Sequence, residues 1–578
     1  MHTHHVRSLV LAAALLLGAL AALPVGAAQR SPLPRPPMFQ PRGNARARAR
    51  LATDNRPLFG RNRTLKAGLA GEEEGDNDTA ISPTLSALCQ SLLGQPNPYA
   101  NPAPNVDQIV NDTVVPVGSQ AGCNAAQNET TIAVNPANPR NLVAGTNDYR
   151  LFNARENRND GSGWAYTSFD GGQTWANVLL PGLTYQSGAA GPLAVMDAAG
   201  DPVLAFGPNN TVYYGNIVFS RLNDANGITV NVSHDGGLTW DPPAIVQLDG
   251  VDGTGNPVPT DIFNDKVWLT ADSTSGTVYV TWTRFDFAAG ESPIVIAKST
   301  DFGRTWSPWR PVSPTLATFV GSGITPYDQG SRPQIGRRGE VYVAYEGAVC
   351  QTLACDQPGD ADATIVAKST DGGQTFTSAI VDYNFDFPLN PDVGRATLTD
   401  ENFRINSFPS FSVDPATGNL FVAWADDRNG TYDASGNSIK TNGDVFVAGS
   451  PDGVHWTPTA VIGTSADEVF PEVAAYRGRK AVSFYTRAYD PSGIGLDYAM
   501  WTPGRFYRVT TQTQNPQVQF VGIGRISGQV LQGVFIGDYT ALTIGSDLVA
   551  HPCWTDFRGR PGINTPNQDA YTQAIPLR

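Results

Sequence analysis

One short pattern recurs five times and sets the period of everything around it. It reads Ser168-Phe-Asp170-Gly-Gly-Gln-Thr174-Trp175, Ser233-His-Asp235-Gly-Gly-Leu-Thr239-Trp240, Ser299-Thr-Asp301-Phe-Gly-Arg-Thr305-Trp306 and Ser369-Thr-Asp371-Gly-Gly-Gln-Thr375-Phe376, with a degraded copy at Ser450-Pro-Asp452-Gly-Val-His-Trp456. Each copy follows one alternating apolar run and precedes another, so it occupies a hairpin turn. An Asp side chain can accept N–H groups further along such a turn, and Gly supplies its left-handed backbone. The Asp residues stand 65, 66, 70 and 81 residues apart. A period of that length means a repeat architecture with one β-sheet per repeat.

Seven units follow, starting near residues 129, 191, 265, 332, 408, 470 and 536. Their second strands include Val278-Tyr-Val-Thr-Trp282, Val341-Tyr-Val-Ala-Tyr345 and Leu420-Phe-Val-Ala-Trp424, and their third strands include Ile294-Val-Ile296 and Val445-Phe-Val447. Composition agrees with an all-β chain: 59 Gly, 44 Pro and only 16% charged residues mark many turns and few helices. The seventh unit reaches only a third strand before Arg578. An N-terminal segment, Val114-Val-Pro-Val117 or Gln108-Ile-Val110, is therefore expected to close it and remove a sheet edge.

A net charge of −14 argues against a nucleic-acid partner. Residues 1–28 have the make-up of a secretory signal peptide. Arg7 precedes an apolar run from Leu9 to Leu23, and Val25-Gly-Ala27 offers small residues for cleavage. The chain is thus expected to be secreted, extracellular or cell-surface, with no membrane span once the signal is removed. Residues 29–105, rich in Arg and Pro and then acidic at Glu72-Glu73-Glu74, read as a disordered extension. The folded body is expected over 106–578. Cys350 and Cys355 are close enough for a local disulfide, Cys89–Cys123 is a second candidate pair, and Cys553 is expected to be buried and free. No zinc-ligand pattern is present.

The repeated turns join third to fourth strands, so they lie on one face of the assembly. Second strands end, and the next inner strands begin, on the opposite face. There the chain gathers Asp148-Tyr149-Arg150, Arg284-Phe-Asp286, Asp426-Asp427-Arg428, Arg487-Ala-Tyr489-Asp490 and Asp556-Phe-Arg558, with Asp265, Arg332, Arg404, Glu472 and Asp538-Tyr539 at inner strands. A funnel lined by Arg, Asp and Tyr is expected, the Arg forks binding a carboxylate bidentately. A ring of inter-blade salt bridges is the alternative for the repeated Asp-x-Arg. Three of six His lie in the leading segment, and His234 and His455 lie in turns. A Ser-His-Asp triad or a His-rich metal centre is therefore poorly supported.

The S-x-D-x-G-x-T-[WF] turns resemble the Asp-box of sialidases and related β-propellers, over roughly residues 125–578. The resemblance implies a β-propeller with seven blades, six being the runner-up because typical sialidases have six. It also implies that the box carboxylates hold blades together and are poor catalytic candidates. In that family an Arg triad clamps a substrate carboxylate, a Tyr assisted by a Glu attacks the anomeric carbon, and an Asp is the acid/base. Residues in compatible order are Arg332, Arg404 and Arg487 for the clamp and Tyr539 as nucleophile. Asp538 or Glu472 would take the Tyr proton, and Asp265 or Asp286 would be the acid/base. The family's early F/Y-R-I-P motif is absent. Phe403-Arg404-Ile405-Asn406 looks like it but lies late, and Tyr149-Arg150-Leu151 is a faint early substitute. The implied activity is a secreted glycoside hydrolase acting on terminal sialic acid or another acidic glycan. A non-catalytic glycan- or protein-binding propeller is the alternative. No cofactor or catalytic metal is expected. A structural calcium ion has room on the acidic loops, although no complete ligand-loop pattern is present.

Overall fold

The structure, a computed structural model, describes residues 105–108 and 126–577 apart from short stretches at 156–157, 358, 386, 391–394, 435–437, 517–520, 527–528 and 559–567. The segments read as signal peptide and extension, 1–28 and 29–105, therefore lie outside the described residues except for Asn105. So does the Cys89–Cys123 pair.

Seven antiparallel sheets of four or five strands follow one another along the chain, each inner strand pairing with the second, the second with the third and the third with an outer strand. The first blade runs Gln127–Asn135, Asn138–Asn153, Arg158–Ser168 and Ala176–Leu179. The inner strands of the next five are Ala198–Phe206, Ile262–Ala271, Gly323–Ile335, Ser410–Val413 and Glu468–Tyr476. The seventh is Ala541–Ile544, Val549–Asp556 and Asp569–Thr572. The fold is a seven-bladed β-propeller, and six blades is ruled out by the count.

Closure comes from the N-terminal side, as the truncated seventh unit requires, but one step earlier in the chain than either expected segment. Val106 and Asp107 pair with Thr572 and Tyr571, and the Gln108 N–H continues the ladder to Ala570 O at 3.0 Å. Of the expected Gln108-Ile-Val110, only Gln108 is described, and Val114–Val117 lies outside the described residues. Apolar side chains of second strands pack between blades, where Trp282, Trp424 and Trp554 are wholly buried. Cys350 and Cys355 form the local disulfide, and Cys553 is free and buried. Among the described residues no helix is long and apolar enough to cross a membrane.

Each box closes on its own Asp. Asp170 Oδ1 accepts from the N–H groups of Gln173 and Thr174 at 2.9 and 3.0 Å, and Oδ2 accepts from the Thr174 hydroxyl at 2.6 Å. The Ser168 hydroxyl donates to Asp170 and accepts from Gly172 N–H. The boxes at Asp235 and Asp371 repeat this set. In the degraded copy the His455 ring stands in for the Thr hydroxyl, 2.8 Å from Asp452 Oδ2.

A second periodicity is built into the inner strands. Their registers slip between Asn128 and Thr131, Gly200 and Val203, Asp265 and Trp268, Gln329 and Arg332, and Val469 and Glu472. At each slip one residue turns left-handed: Glu129, Asp201, Lys266, Gly330 and Phe470, with Gly537 ahead of the seventh inner strand. These are β-bulges, which re-aim side chains at sheet edges and near sites.

Candidate functional site

Those bulges, with the segments leading into the fifth and seventh blades, bring residues of all seven blades to one charged cluster. Lys266 Nζ lies 2.7 Å from Asp538, 3.2 Å from Glu129 and 3.5 Å from Asp201. Arg404, from the loop before the fifth blade, forks onto Asp538 with Nε at 2.8 Å and Nη2 at 2.7 Å. The Asp538 N–H donates to Glu129 Oε1, and Asn147 donates to Glu129 Oε2. Adjoining these, Arg332 donates to Glu472 at 2.6 Å while Ser410 holds the other Glu472 oxygen at 2.7 Å. The Arg332 guanidinium sits 3.3 Å from the centroid of Trp268. Tyr539 meets Trp268 edge-on at 5.3 Å, with Lys266 and Arg332 each 5.4 Å from its ring. The Tyr539 hydroxyl has no hydrogen-bond partner among the described residues.

Burial makes these charges interact strongly. Glu129 is 0% exposed. Desolvation, reinforced by Asp201 and Asp538 and opposed by Lys266, holds its carboxyl well above the usual carboxylate range. Burial also acts to raise Asp538, but Arg404 and Lys266 outweigh it and hold that carboxyl below its ordinary value. Burial lifts the Tyr539 hydroxyl, with Glu129 and Asp201 adding to the effect. Burial raises Glu472, with Arg332 opposing.

Of the residues expected from sequence, Arg332, Glu472, Asp538 and Tyr539 meet here, and Arg404 joins through Asp538. Asp265 is buried in the same inner strand, one residue before Lys266. Asp286 lies at the end of the second strand and accepts from Ala289 N–H, making its hairpin. Arg487 is held in a separate network, on Asp467 at 2.8 Å, Glu401 at 2.9 Å and the Thr399 carbonyl. Arg150 folds back onto Asp148 at 2.7 Å and lies 4.0 Å from the Trp164 ring.

That fold-back recurs. Arg428 returns to Asp426 and Arg558 to Asp556, each at 2.6 Å, while Trp424 and Trp554 donate to the same carboxylates. The repeated Asp-x-Arg pair thus closes within its own blade, and Arg428 also bridges to Asp382 of the preceding blade at 2.9 Å. The alternative of an inter-blade salt-bridge ring therefore holds only in part. Two adjacent residues steer back to back along an extended strand, but residues i and i+2 share a face, which puts the fork on its own Asp.

Glu129, Asp201, Lys266 and Trp268 were not singled out from sequence. The signal available for them was positional: each lies in the segment that opens a blade, at the slip that no alternation pattern marks. Among the described residues no group of three or more His, Cys, Asp or Glu could hold a metal ion.

No family model matches the chain, and no curated protein matches it. Among solved structures it is similar to the Hadza microbial sialidase Hz136, at 15% identity and TM-score 0.39 over 76% of this chain and 73% of that one. It is similar to the Penicillium chrysogenum alpha-L-arabinanase complexed with arabinobiose, at 13% identity and TM-score 0.39 over 63% and 89%. It is also similar to the Trypanosoma rangeli sialidase, at 12% identity and TM-score 0.35 over 69% and 56%. The chain's own seven blades and Asp-box turns define a seven-bladed Asp-box β-propeller.

Proposed function

We propose that this protein is an exported glycoside hydrolase that works on an acidic glycan at the axial cluster. One observation carries this: two buried carboxylates share Lys266, at 3.2 Å from Glu129 and 2.7 Å from Asp538, in surroundings that push their proton affinities in opposite directions. Burial pushes the Glu129 carboxyl up, while Arg404 and Lys266 pull that of Asp538 down. Pairs pushed apart in this way supply the acid and the stabilising anion of glycoside cleavage. Glu129 is the proton donor to the leaving oxygen. Tyr539, with its unsatisfied hydroxyl, is the group facing the anomeric carbon. Lys266 and Arg404 keep Asp538 ionised.

A second reading rests on the same ion pairs. Arg332 and Arg404 already hold Glu472 and Asp538, and a substrate carboxylate would have to displace them. That favours a non-catalytic binding propeller.

The test is a panel of fluorogenic glycosides, including an α-sialoside, a β-glucuronide and an α-L-arabinofuranoside, with the parent protein, Glu129→Gln and Tyr539→Phe. The expected result is turnover of an acidic glycoside that falls about a hundredfold in each variant, the scale of a lost acid or base, with melting unchanged. Turnover should also decline on the alkaline side as Glu129 loses its proton. A folded parent that turns over nothing would sink the hydrolase reading.

A further inference from the structure

We infer that a groove between the third and fourth blades, on the Asp-box face, binds the anionic group of a sugar on Lys298. The groove has a volume of about 410 Å³ and is walled by Tyr279, Lys298, Trp306, Arg310 and the box glycines Gly372 and Gly373. That size suits a small ligand.

The argument comes from comparing blades. Lys298 is the residue just before the box Ser, at the end of a third strand. In two sister blades this position ties its blade to the next box. Thr167 donates to the Gly237 carbonyl at 2.7 Å, and Lys368 Nζ donates to the Asp452 carbonyl at 2.8 Å. Between the third and fourth blades the tie is made instead by the Tyr279 hydroxyl, which reaches the Gly372 carbonyl at 3.3 Å. Lys298 Nζ is left over the Tyr279 ring at 5.2 Å. Among the described residues it meets no acceptor.

The Asp371 carboxylate also stands in the groove wall and keeps its negative charge, but it is hydrogen-bonded into its own turn, to Ser369, Gln374 and Thr375, and makes no ion pair with Lys298. Arg310 is exposed and has no ion pair among the described residues. Two unpaired cations facing one groove stand out in a chain of net charge −14. Trp306 is half-buried and lines the groove, with its Nε1 turned to the Gly303 carbonyl at 3.1 Å and its ring packed on the core between the second and third blades. A carboxylated and a sulfated sugar share this chemistry. The groove shares no lining residue with the axial cluster, so the inference stands apart from the hydrolase reading.

Calorimetric titration of the full chain tests it with three probes: tetragalacturonate, a sulfated galactan tetrasaccharide and maltotetraose. Binding is expected for one or both anionic probes and not for neutral maltotetraose. It should weaken about tenfold in Lys298→Gln, as for loss of a charged hydrogen bond, and weaken further with salt. Lys368→Gln, whose ammonium already has a carbonyl, should bind as the parent does. Arg310→Gln, at an exposed position, gives a second loss that does not depend on how Lys298→Gln folds. The carboxylated and sulfated arms decide which anion is preferred. Equal binding of maltotetraose, parent-like affinity in both groove variants, or no binding of either anionic probe would each overturn the inference.

Discussion

Asp301 shows what one residue does in this chain. It accepts from the Thr305 hydroxyl at 2.6 Å and from the Thr305 N–H at 2.9 Å, and these bonds pull its carboxyl down to about 2. Its unfolded value is about 3.9. A depressed group contributes stability above the unfolded value and loses it as pH falls through the folded one. Thr305→Val should therefore cost about 1 kcal/mol at neutral pH, the net worth of one such bond, and the deficit should shrink in acid. Urea melts at several pH values measure both. A parent-like midpoint at neutral pH would mean that the turn holds without the Thr305 hydroxyl. The structural role of these carboxylates was legible in sequence because all the bonding partners lie within a few residues. The protonation of Glu129 was not, because its neighbours Asp201, Lys266 and Asp538 come from three other blades.

At the scale of the strand, the bulges decide what reaches the axis. Gly330 occupies its bulge at φ 68°, and an added Cβ would lie 2.5 Å from Phe408 Cγ in the next blade. Gly330→Ala combines a left-handed backbone with a clash. It should destabilise by about 2 kcal/mol or more, read as a lowered denaturation midpoint. A change within about 0.5 kcal/mol, the usual surface range, would show that the bulge can flatten. Glu129, Asp201, Lys266 and Phe470 adopt the same backbone without glycine's freedom. That strain is held by packing around the axis. The strands themselves were legible from alternation. The bulges were not, since a one-residue slip leaves no compositional trace when Glu, Asp, Lys, Gly and Phe all serve at it.

The whole molecule depends on closure and on buried acids. Deleting the N-terminal residues through Gln108 would strip the pairing partner of Asp569–Thr572 and the bond from Asn105 to the Val509 carbonyl. A lower melting temperature and concentration-dependent association are expected, because an open strand edge invites pairing. A truncated chain that melts as the full chain does would show that the seventh blade needs no outer strand. Burial also raises Asp427 and Glu468 to about 7. A raised acid favours folding below its unfolded value and loses that contribution as pH climbs through the folded one. Melting temperature should thus decline from about pH 4 to about pH 7, and Glu468→Gln should flatten the decline. An unchanged slope would remove Glu468 from the account.

The sequence by itself determined the all-β repeat and the place of the boxes and favoured seven blades closed by an N-terminal strand, with six left for the structure to exclude, because each follows from contacts within a few dozen residues or from simple counting. The tertiary structure alone decided which charges meet. Arg150, Arg428 and Arg558 turn back on their own Asp, Arg487 joins Glu401 and Asp467, and Lys266 gathers Glu129, Asp201 and Asp538. Coulombic partners are chosen by distance across the axis, and a linear chain does not carry that distance.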